Sequence, residues 1–347
     1  MNRVGHAATT LTVSRISVAL LGLASLCGWA SAAPSYTFLV DPLIGTDGSG
    51  HTFPGATVPF GMVAPSPDNA DRDRSAENAF SNAFASGYRF NAPRIQGFSN
   101  THISGGGIPE LGDVLLQPAF GTRTGGRARR LEDWSSRYDK SSEWAKPGYY
   151  AVTLADLHAH VEVTATQRVA LHRYTFPRPG VVQVLVDAQH GLSASTTPRV
   201  TASDVTVAGR EVAGTVDSRN GVERRAAFVV RFDRAPFKAE KLPEREGDRA
   251  PRWVLSFYLQ NSTQLQARVA MSTTDVEGAR RNLAEADGRW FEVVMRDADR
   301  LWAQVLGRVR IEGTERTRRI FYTALYHALM LPSDIADVDG RYRGSTA

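Results

Sequence analysis

YYAVTLADLHAHVEVTATQRVALHRYTF, residues 149–176, contains runs in which valine, threonine and aromatic residues alternate with polar ones. Such alternation is typical of half-buried β-strands. Turn signals at 177–180, 208–211 and 218–221 separate further runs of this kind, and no helical period of 3.6 survives between 149 and 271. These runs are VVQVLVDA (181–188), AAFVVRF (226–232), WVLSFYL (253–259) and LQARVAMS (265–272). Short strands at this spacing predict an antiparallel β-sandwich.

The stretch 36–120 is less regular, because loop-forming residues outnumber strand-like runs. SYTFLVDPL (35–43) and GDVLLQPAF (112–120) nevertheless fit strands of the same sandwich. The chain is therefore expected to be mostly β from residue 33 to residue 272.

The pattern changes after Ser272. Apolar residues between Leu283 and Val305 recur at steps of three and four, which predicts amphipathic helices with a break near Gly288. VRIEG (309–313) is predicted as a short strand. A further helix is predicted over 315–331, with Phe321, Leu325 and Leu329 on one face and Pro332 at its end. The sequence ends soon afterwards, so we expect this face to lack a partner and to open a helical domain whose remainder is missing.

The N-terminus has the features of a signal peptide over residues 1–32. Arg3 and Arg15 precede the apolar run ISVALLGLASLCGWA, and small residues predict cleavage near Ala32 or Ala33. A membrane-spanning helix needs about 20 apolar residues, and this run is shorter. We therefore expect a periplasmic or secreted protein with no membrane anchor after cleavage.

Removal of this segment leaves a mildly basic chain without cysteine, since Cys27 is the only one. Disulfides are therefore not expected in the mature protein. GTRTGGRARR (121–130) is basic, but it is rich in glycine and has no interleaved aromatic residues, so we predict a solvated loop and no nucleic-acid binding.

Three segments concentrate polar residues among glycines: the first loop (41–61), the second loop (87–114) and the third loop (333–344). In HTFPGATVPFG (51–61), two prolines fix φ and two glycines permit unusual backbone angles, so we expect a rigid and largely buried loop. Buried loops are uncommon and often belong to functional sites.

Several functions are disfavoured because the sequence motifs that they require are missing. The sequence has no phosphate-binding glycine loop after a strand, no Gly-x-Ser-x-Gly elbow and no HExxH. DVDG (337–340) lacks the remaining ligands of an EF-hand. His158 and His160 share the spacing of some metal ligands, but without a third ligand nearby they are better interpreted as a surface pair.

The loop motifs resemble the N-terminal half of glycoside hydrolase family 92, the calcium-dependent exo-α-mannosidases. The matching blocks occur in order and run from about Val40 to Gly344. They are VDPLIGTDGSGHTFPGATVPFGMVAPSPDN (40–69), GYRF (87–90) with IQGFSNTHISGGG (95–107) and GDVLLQP (112–118), and FYTALYHALMLPSDIADVDGRYRG (321–344). The second loop differs from the family pattern at two places. Asn100 replaces a histidine that relatives often have, and IPEL occupies 108–111, where many relatives have polar residues. The resemblance implies that both changes bear on which linkage or neighbouring sugar is accepted.

The resemblance implies a galactose-mutarotase-like β-sandwich over 33–272, linker helices over 273–308, and over 309–347 the first helix of an incomplete (α/α)6 catalytic domain. It implies removal of terminal α-mannose from mannose-containing glycans, N-glycans among them, with inversion and with calcium as cofactor. The catalytic acid and base are expected beyond residue 347, and the calcium ligands are not assigned. The residues carried over as sugar-pocket candidates are Gly50, His51, Tyr88, His102, Asp337 and Asp339.

Two other functions stay open at this point. One is a non-catalytic carbohydrate-binding β-sandwich, and the other is the sandwich half of a different (α/α)6 glycosidase or phosphorylase. The helix over 315–331 is expected to discriminate, because a finished binding module would supply a partner for its apolar face.

Overall fold

The computed structural model describes Met1 and residues 35–69, 84–123, 131–192, 199–220 and 222–344. The predicted signal peptide lies outside these ranges, as does most of 121–130. The strands are β1 (Ser66–Asn69), β2 (Arg94–Ser99), β3 (Leu115–Phe120), β4 (Ser136–Lys146), β5 (Tyr149–Leu154), β6 (Ala159–Ala165), β7 (Val169–Thr175), β8 (Gly180–Asp187), β9 (Val200–Ala208), β10 (Glu211–Asn220), β11 (Val222–Phe232), β12 (Lys238–Lys241), β13 (Arg252–Leu259) and β14 (Gln264–Ser272).

All strand pairs are antiparallel, which confirms the predicted sandwich. The hydrogen-bonded order is β12-β13-β8-β3-β2-β4-β5-β6-β7-β14-β11-β10-β9, with β1 added to β2. The start of β4 pairs with β2 at Arg94 and Ile95, and most of its length pairs with β5. Strand β4 therefore passes between a first layer (β1, β2, β3, β8, β12 and β13) and a second layer (β5, β6, β7, β9, β10, β11 and β14).

The core lies between the two layers. Phe98, Leu116 and Val184 of the first layer share one buried cluster with Val163 and Phe228 of the second. The alternation seen in the sequence explains this arrangement, because every second side chain of a strand points to the same face.

Helices α1 (Val276–Asn282) and α2 (Phe291–Leu306) cover the outer face of the second layer. A second apolar cluster joins Leu171, Val229 and Ala270 of the strands to Phe291 and Val294 of α2. The predicted break near Gly288 is confirmed, since a 3-10 turn at Leu283–Glu285 and a short loop separate the two helices. Of the helices in the described ranges, none is long and apolar enough to cross a membrane.

Helix α3 (Glu315–Ala328) corrects the expectation of an unpartnered apolar face. Its buried residues are Tyr322, Thr323 and Tyr326, whereas Phe321 and Leu325 are only partly buried. The partner is the start of the sandwich region, where Tyr36 stacks on Tyr322 with ring centroids 4.4 Å apart. The prediction was wrong because it assigned residues 35–43 to a strand of the sandwich, whereas Tyr36, Leu39 and Val40 pack on this helix.

Two predicted strands are also wrong. SYTFLVDPL (35–43) forms a 3-10 turn at Thr37–Leu39, after which the Asp41 carboxylate accepts a hydrogen bond from the Leu43 amide at 3.1 Å. Tyr36, Leu39 and Val40 pack on α2 and α3 instead of joining a sheet. VRIEG (309–313) is irregular, and the Val309 carbonyl accepts a hydrogen bond from the Tyr322 hydroxyl at 2.9 Å.

Candidate functional site

The first loop is largely buried, as the sequence predicts, and helices hold it in place. Residues 52–58 are buried, and the Trp302 indole of α2 donates to the Thr57 carbonyl at 2.7 Å. The Phe60 amide donates to the Leu329 carbonyl just after α3 at 3.1 Å. A Cβ on Gly55 would lie 2.2 Å from the Pro65 carbonyl oxygen, so only glycine fits there. The loop backbone is thus fixed from several sides.

The first and second loops meet at His51. The Gly105 amide donates to the His51 carbonyl at 2.7 Å, and a Cβ on Gly107 would lie 3.4 Å from the His51 ring. His51 is half-buried, while Gly50 and Gly105 are exposed. A Cβ on Gly50 would lie 2.2 Å from the Gly45 carbonyl oxygen, so glycine is required to close this turn. The two loops therefore form one glycine-lined surface around the His51 imidazole.

Left-handed backbone conformations concentrate in these two loops. Of the described residues other than glycine, five have a positive φ, and four of them are His51 (50°), Phe60 (57°), Leu111 (67°) and Val114 (55°). Such conformations cost free energy in bulky or β-branched residues and persist only where the surroundings enforce them. Their concentration here favours a functional surface.

His327, near the end of α3, connects both loops and was not singled out from the sequence. Its Nε2 donates to the Ile44 carbonyl at 3.1 Å, and its Nδ1 lies 3.5 Å from the Ser104 hydroxyl. Burial lowers the pKa of His327. The third motif segment (321–344) therefore contacts the first and second loops through the neutral imidazole of His327.

His102 lies beneath the second loop in a buried polar network. Its Nδ1 donates to the Ala64 carbonyl at 2.7 Å, and its Nε2 lies 2.8 Å from Asp68 Oδ1. Both ring nitrogens therefore lie within hydrogen-bond distance of an oxygen atom. His190 Nε2 binds the other Asp68 oxygen at 2.8 Å. Burial alone would raise the pKa of Asp68, but the His102 charge and the hydrogen bonds of both histidines hold it well below its usual range.

A second buried network anchors the other end of the second loop. Asp113 accepts hydrogen bonds from Thr101 at 2.6 Å, Arg199 at 2.8 Å and Arg224 at 2.5 Å. Burial alone would raise the pKa of Asp113, but Arg224 and Arg199 hold it well below its usual range. Removing one partner from a buried ion pair typically costs about 3–5 kcal/mol, so these contacts fix the loop ends firmly. Asp68, His190, Arg199 and Arg224 were not identified from the sequence.

The Tyr88 hydroxyl contacts strand β4 of the sandwich. Tyr88 is buried, and its hydroxyl donates to Glu143 at 2.7 Å and accepts from Lys140 at 2.5 Å. Tyr150 donates to the same Glu143 oxygen at 2.6 Å. Burial, followed by the Glu143 charge, raises the pKa of Tyr88 far above its usual range, so its hydroxyl stays protonated.

Asn100, where the family motif departs, is also buried. Its amide donates to the Val114 carbonyl at 2.6 Å, and its oxygen accepts from His172 Nε2 at 2.8 Å. His172 is fully buried, its Nδ1 has no hydrogen-bond partner among the described residues, and burial lowers its pKa to about 3. The presence of asparagine instead of histidine at position 100 therefore affects a buried hydrogen bond with His172, beneath the second loop.

Asp337 and Asp339 lie in a different environment from His51. Asp337 is buried, and its carboxylate accepts from Ser272 at 2.8 Å, Thr274 at 2.6 Å and Asn282 at 2.8 Å. Asp339 is exposed and pairs with Arg281 at 2.9 Å and with Arg341 at 3.0 Å. These contacts tie the third loop to the junction between β14 and α1.

The described residues do not fit a calcium site. No group of three or more His, Cys, Asp or Glu side chains within these ranges is arranged to hold a metal ion. Both oxygens of Asp47, at the edge of the first loop, bind Arg89 or Asn91. The oxygens of Asp337 are occupied by three donors, as described above. No calcium ligand is therefore assigned to these residues.

Comparison with known proteins identifies the family to which this arrangement belongs. Residues 39–272 match the glycosyl hydrolase family 92 N-terminal domain, and residues 278–347 match the family 92 catalytic domain. The chain belongs to glycosyl hydrolase family 92.

Family 92 structures share the fold. An α-mannosidase of Bacteroides thetaiotaomicron has a TM-score of 0.78 and 31% identity, covering 90% of this chain and 43% of that chain. The same enzyme has been solved with mannoimidazole. An inverting mannosidase of that organism has a TM-score of 0.71 and 23% identity, covering 88% of this chain and 41% of its own, which shows the fold alone.

A curated relative, described as an uncharacterized secreted glycosidase of Arthroderma benhamiae, is 28% identical over 331 residues. The match covers 85% of this chain and 41% of that protein. The family 92 chain thus spans less than half the length of the relatives it matches.

Proposed function

We propose that the full-length protein is an exported exo-α-mannosidase that removes terminal α-linked mannose from glycans with inversion. The meeting of the first and second loops at His51 carries the proposal, because the family motifs converge there on one exposed, rigid surface. Family membership and the mannosidase neighbours support the choice of sugar. The partner found for α3 means that this helix does not argue against a binding module. The match of residues 278–347 to the family catalytic domain does weigh against a binding module that lacks catalytic activity.

The six candidate residues take different parts in this proposal. His51 faces the sugar and Gly50 closes the turn that presents it. Tyr88 and His102 hold the second loop from below, and Asp337 holds the third loop, since all three are buried and hydrogen-bonded. Asp339 contributes from the surface through its ion pairs with Arg281 and Arg341.

An inverting glycosidase needs a protonated carboxylic acid at the leaving oxygen and a carboxylate that activates water on the opposite face, roughly 6.5–9.5 Å apart. We place neither group in this chain. The residues described here orient the sugar and exclude water from one side. Calcium dependence belongs to the proposal for the full-length protein, with ligands outside the described residues.

The proposed organisation is a signal peptide over 1–32, the sandwich over 33–272, linker helices over 273–308 and the start of the helical domain over 309–347. The secreted relative supports export. N-terminal sequencing of the mature protein should give a start near Ala33, and a start at Met1 would exclude cleavage.

The decisive experiment is NMR of the first sugar released from an aryl α-mannoside by the full-length protein. We expect β-mannose to appear first and activity to fall after chelation of calcium. Initial α-mannose would exclude inversion, and undiminished activity after chelation would exclude the metal.

A further inference from the structure

A small cleft opens beside the first loop. It has a volume of about 240 Å³ and is lined by Phe90, Asn91, Ala92, Pro93, Tyr138 and Lys140. Pockets that enclose drug-sized ligands measure about 300–1,000 Å³, so this cleft has room for a single small ring. Phe90 is 39% exposed and presents part of its ring to solvent.

The Lys140 ammonium is fixed within this cleft. It lies 4.1 Å from the Phe90 ring centroid and 4.9 Å from that of Tyr138, close enough for cation–π attraction. It also binds Glu143 at 2.8 Å and the Tyr88 hydroxyl at 2.5 Å. Because the buried Glu143 carboxylate balances the Lys140 charge, the cleft favours a neutral polar ligand over an anion.

The cleft is joined to the first loop by short contacts. The Phe90 amide donates to the Thr46 carbonyl at 3.1 Å. Arg89 binds Asp47 Oδ1 at 3.0 Å, and the Asn91 amide binds the other oxygen. Asp47 lies only four positions before His51 in the same loop. The residues that line the cleft are therefore held by the same loop that carries His51.

We propose that this cleft binds a neutral hexose ring of the glycan beyond the terminal residue. This inference rests on the proposed function for the identity of the glycan. Aromatic rings pack against the C–H face of a sugar, and the remaining Lys140 proton and the Asn91 carbonyl oxygen can bind its hydroxyls. The cleft thus selects for extended substrates, whereas His51 faces the terminal sugar.

The test compares Phe90→Ala with wild type in the full-length protein, using a mannose oligosaccharide and an aryl α-mannoside. We expect kcat/KM for the oligosaccharide to fall about tenfold, the lower end of what an apolar contact contributes to discrimination. The aryl mannoside, which has no second sugar for the cleft to bind, should keep its kcat/KM. Phe90→Tyr keeps the ring and should behave as wild type. Phe237→Ala, 61% exposed and outside the cleft, is the matched control.

The outcomes separate this inference from the proposed function. Equal kcat/KM of Phe90→Ala and wild type on the oligosaccharide, or equal losses on both substrates, would overturn the inference. If wild type cleaves no mannoside, the proposed function fails. Ligand-detected NMR with the same oligosaccharide then tests whether the cleft binds a sugar. Binding lost in Phe90→Ala and kept in Phe237→Ala would support the cleft, and unchanged binding would exclude it.

Discussion

At the scale of single residues, His51 combines an unusual backbone conformation with a side chain that can bind a ligand. Its backbone is left-handed, its carbonyl is bound by Gly105, and its imidazole makes no hydrogen bond within the described ranges. A half-buried imidazole held by its backbone alone is available to a ligand. We expect His51→Ala in the full-length protein to lower kcat/KM for mannosides about 10- to 100-fold, in the range of a lost polar contact to a substrate. The melting temperature should change little.

His158→Ala is the matched control, because His158 is also left-handed (φ 50°) but lies exposed in the turn between β5 and β6. It should keep the kinetics of wild type. A His51→Ala protein that folds poorly, yet shows normal kinetics in its folded fraction, would give the loop a purely structural role.

His172 makes stability depend on pH. Its folded-state pKa of about 3 lies below the unfolded value of about 6.5, so the unfolded chain binds a proton that the folded protein does not. Stability is therefore lost as pH falls below about 6.5, by up to about 1.4 kcal/mol per unit until pH approaches 3. His172→Gln keeps a donor for Asn100 and removes the titration. Urea unfolding at pH 7, 6 and 5 should show a shallower slope for the variant, whereas identical slopes would contradict the assignment.

At the scale of elements, strands with an uninterrupted run of apolar residues could be predicted, and strands with a weak or broken alternation could not. VVQVLVDA became β8, whose partners β3 and β13 cover both of its edges. VTASDVTVA, which forms β9 at the end of the sheet, was not singled out, because its exposed residues dilute the apolar signal. Strand β4 was missed as well, since a bulge between Asp139 and Trp144 breaks its alternation.

The buried polar partners of the candidate site could not be predicted from the sequence, for a different reason. Glycines and prolines mark loops locally, so His51 and the second loop could be predicted. The pairing of Asp68 with His190, or of Asp113 with Arg199, joins residues more than eighty positions apart. Only the register of the strands brings such groups together, and one sequence does not reveal it. His327 was hidden in the same way.

Helix α2 supports the first loop through one buried contact that can be tested. Trp302 is fully buried and donates to the Thr57 carbonyl at 2.7 Å. Trp302→Phe removes this donor and should lower the free energy of unfolding by about 1–3 kcal/mol. The amides of Ala56 and Gly61, both bonded within the loop region, should exchange faster with solvent.

Trp290→Phe is the control for this change, since Trp290 precedes the same helix and is 75% exposed. Its stability and exchange rates should match wild type. Unchanged exchange at Ala56 in Trp302→Phe would mean that the loop holds its shape without α2.

At the scale of the whole molecule, the sandwich and the helices are joined into one body at the first loop. Phe53 and Ala64 share an apolar cluster with Trp302, Tyr322 and Tyr326. The exposure expected for Phe321 and Leu325 does not occur, so these side chains give no reason for aggregation of residues 33–347. This part of the protein can therefore be assayed alone.

Residues 33–347 alone should not hydrolyse mannosides. Three carboxylates in or beside the two loops are already engaged: Asp47 with Arg89, Asp68 with two histidines and Asp113 with two arginines. General acid or base assistance contributes about 10²–10⁴-fold, and sugar contacts that bind ground state and transition state equally do not replace it. We therefore expect binding without turnover.

The measurement is turnover of an activated aryl α-mannoside by residues 33–347 beside the full-length protein. Turnover within tenfold of full length would overturn the division of labour proposed here. Glu110 in the second loop would then be the first group to test, because burial raises its pKa, as the acid of a glycosidase requires. Loss of that turnover in Glu110→Gln, with an unchanged melting temperature, would place the acid in the sandwich. Absence of turnover, with the sugar still bound, would place at least one of the two catalytic carboxylates outside residues 33–347.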